Sequence, residues 1–192
     1  MRGILALIAV ALAGCASSPI PITASTPQPP DDRLVGLWQG DVAADADDEI
    51  ERFRITRLTG DKLALEDGGP QAARGPDHTL EVVTAEISGS HYASIGSLDA
   101  GSTHYLLLRY ELVSEDRLQI YLAGGERFDD AVRRGWVSGR KQPDRHFETF
   151  ALEADERQLR QFIADHGREV FADAGPLLER VRADEPPTPN RR

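Results

Sequence analysis

Cysteine occurs once in the 192 residues, at position 15, so no intramolecular disulfide can form and the folded body has to rest on an apolar core. Basic charge is also in short supply: 22 Lys and Arg face 32 Asp and Glu, a net charge of −10. A surface of that sign repels phosphate backbones and anionic lipid, which excludes nucleic acid binding and membrane attachment by a basic patch. The apolar run Ile4 to Ala13 is ten residues long, about half of what a bilayer-spanning helix needs. The histidines, His78, His91, His104, His146 and His166, show no His-x-x-x-His or His-Glu-x-x-His spacing and have no Cys partner, so neither a metal nor another cofactor is expected. Ser94, Ser97 and Ser102 lack the Gly-x-Ser-x-Gly and Ser-x-x-Lys contexts of activated nucleophiles. Ser90 beside His91 is mere adjacency, because neighbours on a strand point to opposite faces. No internal repeat is visible, and no catalytic residue is assigned.

What is present begins at the N-terminus. Met1-Arg2 supplies a short positive start, the ten-residue apolar run has the length of a signal-peptide core, and it ends in Leu12-Ala13-Gly14-Cys15. That tetrapeptide resembles the lipobox of bacterial lipoproteins. The resemblance implies cleavage after Gly14 by signal peptidase II, a diacylglyceryl group on the Cys15 thiol and an acyl chain on the freed amine. At about 0.8 kcal/mol per buried CH₂, two or more chains give stable retention where one does not. Ala16 and Ser17 follow the cysteine in place of the Asp that marks inner-membrane retention in enterobacterial lipoproteins. The implied location is the cell envelope, on the outer membrane and facing the periplasm.

The remaining chain is sized for one domain of roughly 150 residues, and 40% hydrophobic with 28% charged residues describes an ordinary globular body. Residues 15–33 hold the cysteine and a Pro-rich stretch without apolar period, which predicts a semi-extended tether. Residues 183–192, with Pro186, Pro187 and Pro189, read as a tail. Between them, 34–152 predicts a β-body and 153–182 C-terminal helices packed on it. Strands are expected at Leu34–Val42, Ile50–Leu58, Lys62–Glu66, Thr79–Ser88, His91–Leu98, Thr103–Val113, Arg117–Leu122 and Arg145–Leu152, with turn residues at short spacing between most of them. With Asp99 to Ser102 as a turn, Leu98 faces Thr103, Ile95 faces Leu106 and Ala93 faces Leu108. With Ser114 to Asp116 as the next loop, Leu112 meets Leu118, Tyr110 meets Ile120 and Leu108 meets Leu122. One face is then consistently apolar, while Arg109, Glu111 and Gln119 point the other way. A helix is expected at Glu126–Arg134, stopped by Gly135. A second starts at Asp155 with Gln158 completing a capping box and stops at Gly167, and a last helical turn contains Leu177, Leu178 and Val181.

Gly36-Leu37-Trp38 on the first strand resembles the glycine-x-tryptophan of lipocalins and related small barrels, in which the ring closes one barrel end and the glycine permits close backbone approach. The order of lipobox, Pro-rich lead, this strand, a meander containing Tyr105 to Tyr110 and a late amphipathic helix resembles uncharacterised bacterial lipoproteins. Together they imply a mainly β (α+β) fold, an antiparallel meander curled into a lipocalin-like or half-open barrel, with one helix before the last strand. The acidic residues Asp41, Asp45, Asp47, Asp48, Glu49 and Glu51 fail the EF-hand pattern, since Ile50 stands where a glycine turns and Thr56 where a bidentate glutamate belongs. They read as a solvated loop. Two functional readings remain open. In one, Trp38, Ala93, Ile95, Leu106, Leu108 and Tyr110 line a pocket for a small apolar or amphipathic ligand, with Ala93 and Gly96 leaving room. In the other, the body is an assembly accessory that docks an envelope protein through an exposed ridge of Phe128 and Trp136. A hydrolase without an assigned site comes third.

Overall fold

The computed structural model describes residues 16–23, 25–26, 28–40, 51–69, 79–97, 104–143 and 148–182. Its elements are β1 (Ala16–Ser18), a 3-10 turn (Asp32–Leu34), β2 (Gly36–Gly40), β3 (Glu51–Arg57), β4 (Lys62–Asp67), β5 (Leu80–Ile87), β6 (Ser90–Ser97), β7 (Tyr105–Ser114), β8 (Arg117–Leu122), α1 (Gly125–Arg133), β9 (Gly139–Pro143), β10 (Glu148–Leu152), α2 (Glu156–Val170) and β11 (Asp173–Arg180). Eight antiparallel strands in the order β6-β5-β4-β3-β2-β11-β8-β7 close into a lipocalin-like barrel through pairing of β6 with β7. β1 pairs antiparallel with the first residues of β7 and parallel with β10, and β9 follows β10, so a short wing leaves the barrel along β7. Among the described residues, no helix is long and apolar enough to cross a membrane.

Strand alternation sets what faces the barrel interior. Ile95 pairs with Leu106 and Ala93 with Leu108, and Tyr110 pairs with Ile120 and Leu112 with Leu118, as the hairpin arithmetic predicts. The β7–β8 turn differs in detail: Ser114 pairs with Arg117, and Val113 is the extra residue of a bulge that restores the register. The expected Leu98–Thr103 pair and the acidic loop 41–50 lie outside the described residues.

The run Leu106-Leu107-Leu108 is apolar without a break because this wall is buried on both faces. Leu108 faces inward, whereas Leu107 faces outward with Ala85, Ile87 and Tyr92 into a second core. That core is filled by Phe128 and Ala131 of α1, Leu159, Phe162, Ile163 and Val170 of α2, Phe150 and Leu152 of β10, and Phe171. Phe128 is its hub, with ring centroids 6.0 Å from Phe150, 6.3 Å from Phe162 and 5.7 Å from Phe171.

Both helices form where their caps place them. Gly135 at φ +72° ends α1, its amide donating to Val132 O while Trp136 N donates to Ala131 O. Asp155 and Gln158 make the expected capping box. Gly167 does not stop α2, which runs on to Val170; a Cβ there would collide with the Tyr92 hydroxyl, so this glycine serves close packing.

Three expectations are corrected. Leu177 and Leu178 lie on a strand, not a helix: β11 inserts between β8 and β2, so residues 153–182 complete the barrel and do not merely cover it. Pro176 obscured this, and it sits at a break in register between Ala174 and Leu177, where proline is tolerated. The strand ending at Leu152 belongs to the wing and not to the barrel. The Pro-rich lead, expected as a tether, is packed on the outer wall. Ile22 is buried in the second core with its amide on Ser94 Oγ at 2.8 Å, and Gln28 exchanges hydrogen bonds with the Glu86 backbone at 2.8 and 3.3 Å.

Because Phe128 is fully enclosed by aromatic neighbours, Phe128→Ala should cost about 3–5 kcal/mol of unfolding free energy. Urea denaturation of the two proteins measures this, and a loss below about 1 kcal/mol would contradict the hub.

Candidate functional site

Inside the barrel, the inward side chains leave a cavity of about 80 Å³ with an almost wholly apolar lining. The five pocket residues expected from alternation, Ala93, Ile95, Leu106, Leu108 and Tyr110, line it, as does Trp38 of the Gly-x-Trp strand. They are joined by Leu34, Phe53, Ile55, Leu65, Val82, Leu118, Ile120, Leu122, Pro176 and Leu178. Ala93 points inward as expected. Gly96 points outward, and its missing side chain is filled by the Tyr105 ring, so it leaves no room in the cavity.

The two ends of the cavity differ. At the end where β2 begins and β11 finishes, Leu34, Trp38, Ile55, Leu118, Tyr110 and Leu178 are all buried. At the other end Ile95, Leu106, Ile120, Leu122 and Pro176 are only half-buried, so among the described residues the cavity is open there. Residues 41–50, 70–78 and 98–103, which follow β2, β4 and β6 in the chain, lie outside the described residues.

Trp38 closes the buried end. Its indole N–H donates to Leu34 O at 2.7 Å, and the Arg180 guanidinium lies over the ring, 4.2 Å from its centroid. Arg180 in turn donates to the carbonyls of Val35 and Arg33 at 2.6 Å each and of Glu115 at 3.0 Å. Gly36, at φ +153°, is required beneath it, because a Cβ would overlap the guanidinium. Sequence reading missed Arg180 because Pro176 suggested a helical turn. The available signal was alternation in the final run, with Leu178 and Arg180 on the face opposite Glu179.

The lead crosses this closed end and is latched by Asp31. The carboxylate accepts from Arg33 Nε at 2.8 Å and Nη2 at 2.7 Å and from the Tyr110 hydroxyl at 2.9 Å, while the Asp31 amide donates to Thr84 Oγ1 at 3.0 Å. Burial alone raises the Asp31 pKa, but the hydrogen bonds from Arg33 and Tyr110 outweigh it and hold the carboxyl below its ordinary value. Burial, then the Asp31 charge, pushes the Tyr110 phenol well above its usual range, so it stays a proton donor. Thus the one hydroxyl that the described residues bring to the cavity wall is engaged outside the cavity.

Other polar clusters are structural in geometry. On the outer wall Tyr105 donates to Glu81 at 2.5 Å and Lys62 pairs with Glu81 at 2.7 Å; burial and then Glu81 push the Tyr105 phenol to about 12. His91 stacks on Tyr110 at 5.5 Å, and His166 lies parallel to Trp136 with centroids 3.7 Å apart. His104 is exposed, while His78 and His146 lie outside the described residues. Among the described residues, no three His, Cys, Asp or Glu are grouped to hold a metal ion.

The proposed docking ridge is not one. Phe128 has 0% exposure, and Trp136 is half-buried between His166 and Arg134, whose guanidinium is 4.7 Å from the indole centroid. Cys15 lies outside the described residues, immediately before β1. No family model matches the chain, and neither a curated protein nor a solved structure does.

The Asp31 latch has a definite pH signature. With its folded pKa below the ordinary 3.8, Asp31 stabilises the fold above that value, and this contribution is lost as pH falls through the folded pKa. In Asp31→Asn the remaining oxygen can keep the cap on the Arg33 amide, but the NH₂ group cannot accept from Arg33 Nη2 and Tyr110, so the charge and those two hydrogen bonds are lost together. The variant should be about 1.5–3 kcal/mol less stable at neutral pH, the range for hydrogen bonds to charged groups, with the difference shrinking in strong acid. Paired urea titrations across the acid range test this, and a constant difference would contradict the latch.

Proposed function

We propose that this chain is an envelope lipoprotein, acylated at Cys15 and held on the outer membrane facing the periplasm, whose barrel takes up the apolar part of a small amphipathic ligand without catalysing a reaction. The observation that carries the reading is the apolar cavity, closed at one end by Trp38 and open at the other. At about 80 Å³ it is far below the roughly 300–1,000 Å³ of sites that engulf a drug-sized molecule. It suits the slender end of a ligand, such as the last methylenes of an alkyl chain, with the remainder at the mouth beside Ile95, Leu106 and Leu122. Burial at about 0.8 kcal/mol per CH₂ supplies the affinity. A polar head group stays outside, since the described lining is apolar apart from Tyr110, whose hydroxyl is engaged by Asp31. The assembly-accessory reading loses its motive with the burial of Phe128.

Ala93→Phe should fill the cavity from its wall. Titration with a fluorescent alkyl-chain probe should show binding to the parent and at least about tenfold weaker binding to the variant, a change of about 1.4 kcal/mol, with the circular dichroism of both alike. Equal affinities would contradict the pocket. For the anchor, the intact mass of membrane-extracted protein should exceed that of residues 15–192 by a diacylglyceryl and an acyl group, and Cys15→Ala should abolish the increment. An unmodified mass would contradict the anchor.

A further inference from the structure

We infer that the lead between Ala16 and Leu34 is a mount, not a spacer, and that it turns the flank formed by β1, β10 and β9 toward the membrane. This rests on the acylation of Cys15 proposed above. Ala16, the next residue, is already paired with Phe150 of β10, so no free chain separates the attachment point from the sheet. Beyond it the lead is fixed at short intervals: Ser17 and Ser18 pair with β7, Ile22 is bonded to Ser94, Gln28 to Glu86, and Asp31 to Thr84 and Tyr110. A flexible lead of this length would let the barrel stray on the order of 20 Å from the bilayer. The docked lead gives it one distance and one orientation.

The same pairings place β9 beside the anchor. Ala16, Phe150 and Lys141 form one cross-strand row, and Ser17, Ala151 and Arg140 the next, so β9 runs about 10 Å from β1. β9 is the last strand of the sheet. The lipid supplies the attachment, and its place on the residue before β1 selects the flank that meets the membrane. β3 lies four strands round the barrel from β7, about 16 Å away across it, and faces the other direction.

The test uses the full acylated protein in vesicles of phosphatidylcholine and phosphatidylglycerol carrying a headgroup-attached nitroxide quencher. Acylation consumes Cys15, so a cysteine introduced by Ser138→Cys, beside β9, or by Arg54→Cys, on β3, is the only thiol that takes a fluorescent label. Both positions are exposed. The expected result is quenching several-fold stronger at position 138 than at 54, with the contrast lost when a Gly-Ser spacer is inserted between Cys15 and Ala16. Equal quenching at the two positions in protein whose mass shows the acyl groups would overturn the mount and leave the anchor standing. A mass without acyl groups would overturn both.

Discussion

The barrel depends on one contact, the stacking of Arg180 on Trp38. Among the described residues β11 pairs with β2 at Glu179 with Gln39 and Arg180 with Trp38, and Val181 N donates to Leu37 O. Arg180 reinforces this seam by fastening three carbonyls, those of Arg33, Val35 and Glu115, while its guanidinium covers the indole. Its charge is thereby kept hydrogen-bonded as it is drawn over an apolar ring, which is the condition for burying a cation at little cost. Gly36 is part of the same constraint, and so is Leu34, whose carbonyl receives the indole proton. Everything that makes the interior a cavity with one mouth follows from this end being shut.

The opposite requirement applies to the wall of β5, β6 and β7. A barrel strand ordinarily shows one face to water, but here both are buried, and the outer one needs cover from α1, α2, β10 and the lead. That explains why an apparently unstructured Pro-rich segment is docked. Ser94, fully buried on the outer wall, would be an unsatisfied hydroxyl without the Ile22 amide. The lead therefore completes the core, and if acylated at its start it transmits the orientation of the membrane to the barrel.

Local rules made much of this legible in the sequence. Alternation in two hairpins determined which residues of β6, β7 and β8 face inward, and the five pocket residues on them lie where that parity put them. The capping box at Asp155 and the Gly135 stop are likewise short-range signals. What escaped was set by distant partners. Pro176 reads as a strand breaker until β8 and a register break accommodate it. Gly96 and Ala93 look equally small, yet only their parity and the Tyr105 ring decide which borders the cavity. Phe128 and Trp136 read as a ridge because the aromatic partners of Phe128 lie on β10, α2 and Phe171, all later in the chain. The lead shows no period because its anchors are single residues whose partners lie 53 to 79 positions away.

The central claim is that the cavity holds apolar matter in the cell. Native mass spectrometry of gently purified protein, compared with its denatured mass, tests this most directly. A reproducible excess, lost on denaturation and matching a small amphipathic molecule, is the predicted result, and it should be absent from Ala93→Phe. Identical native and denatured masses in repeated preparations would contradict the claim and mark the interior as a core that is merely imperfectly filled.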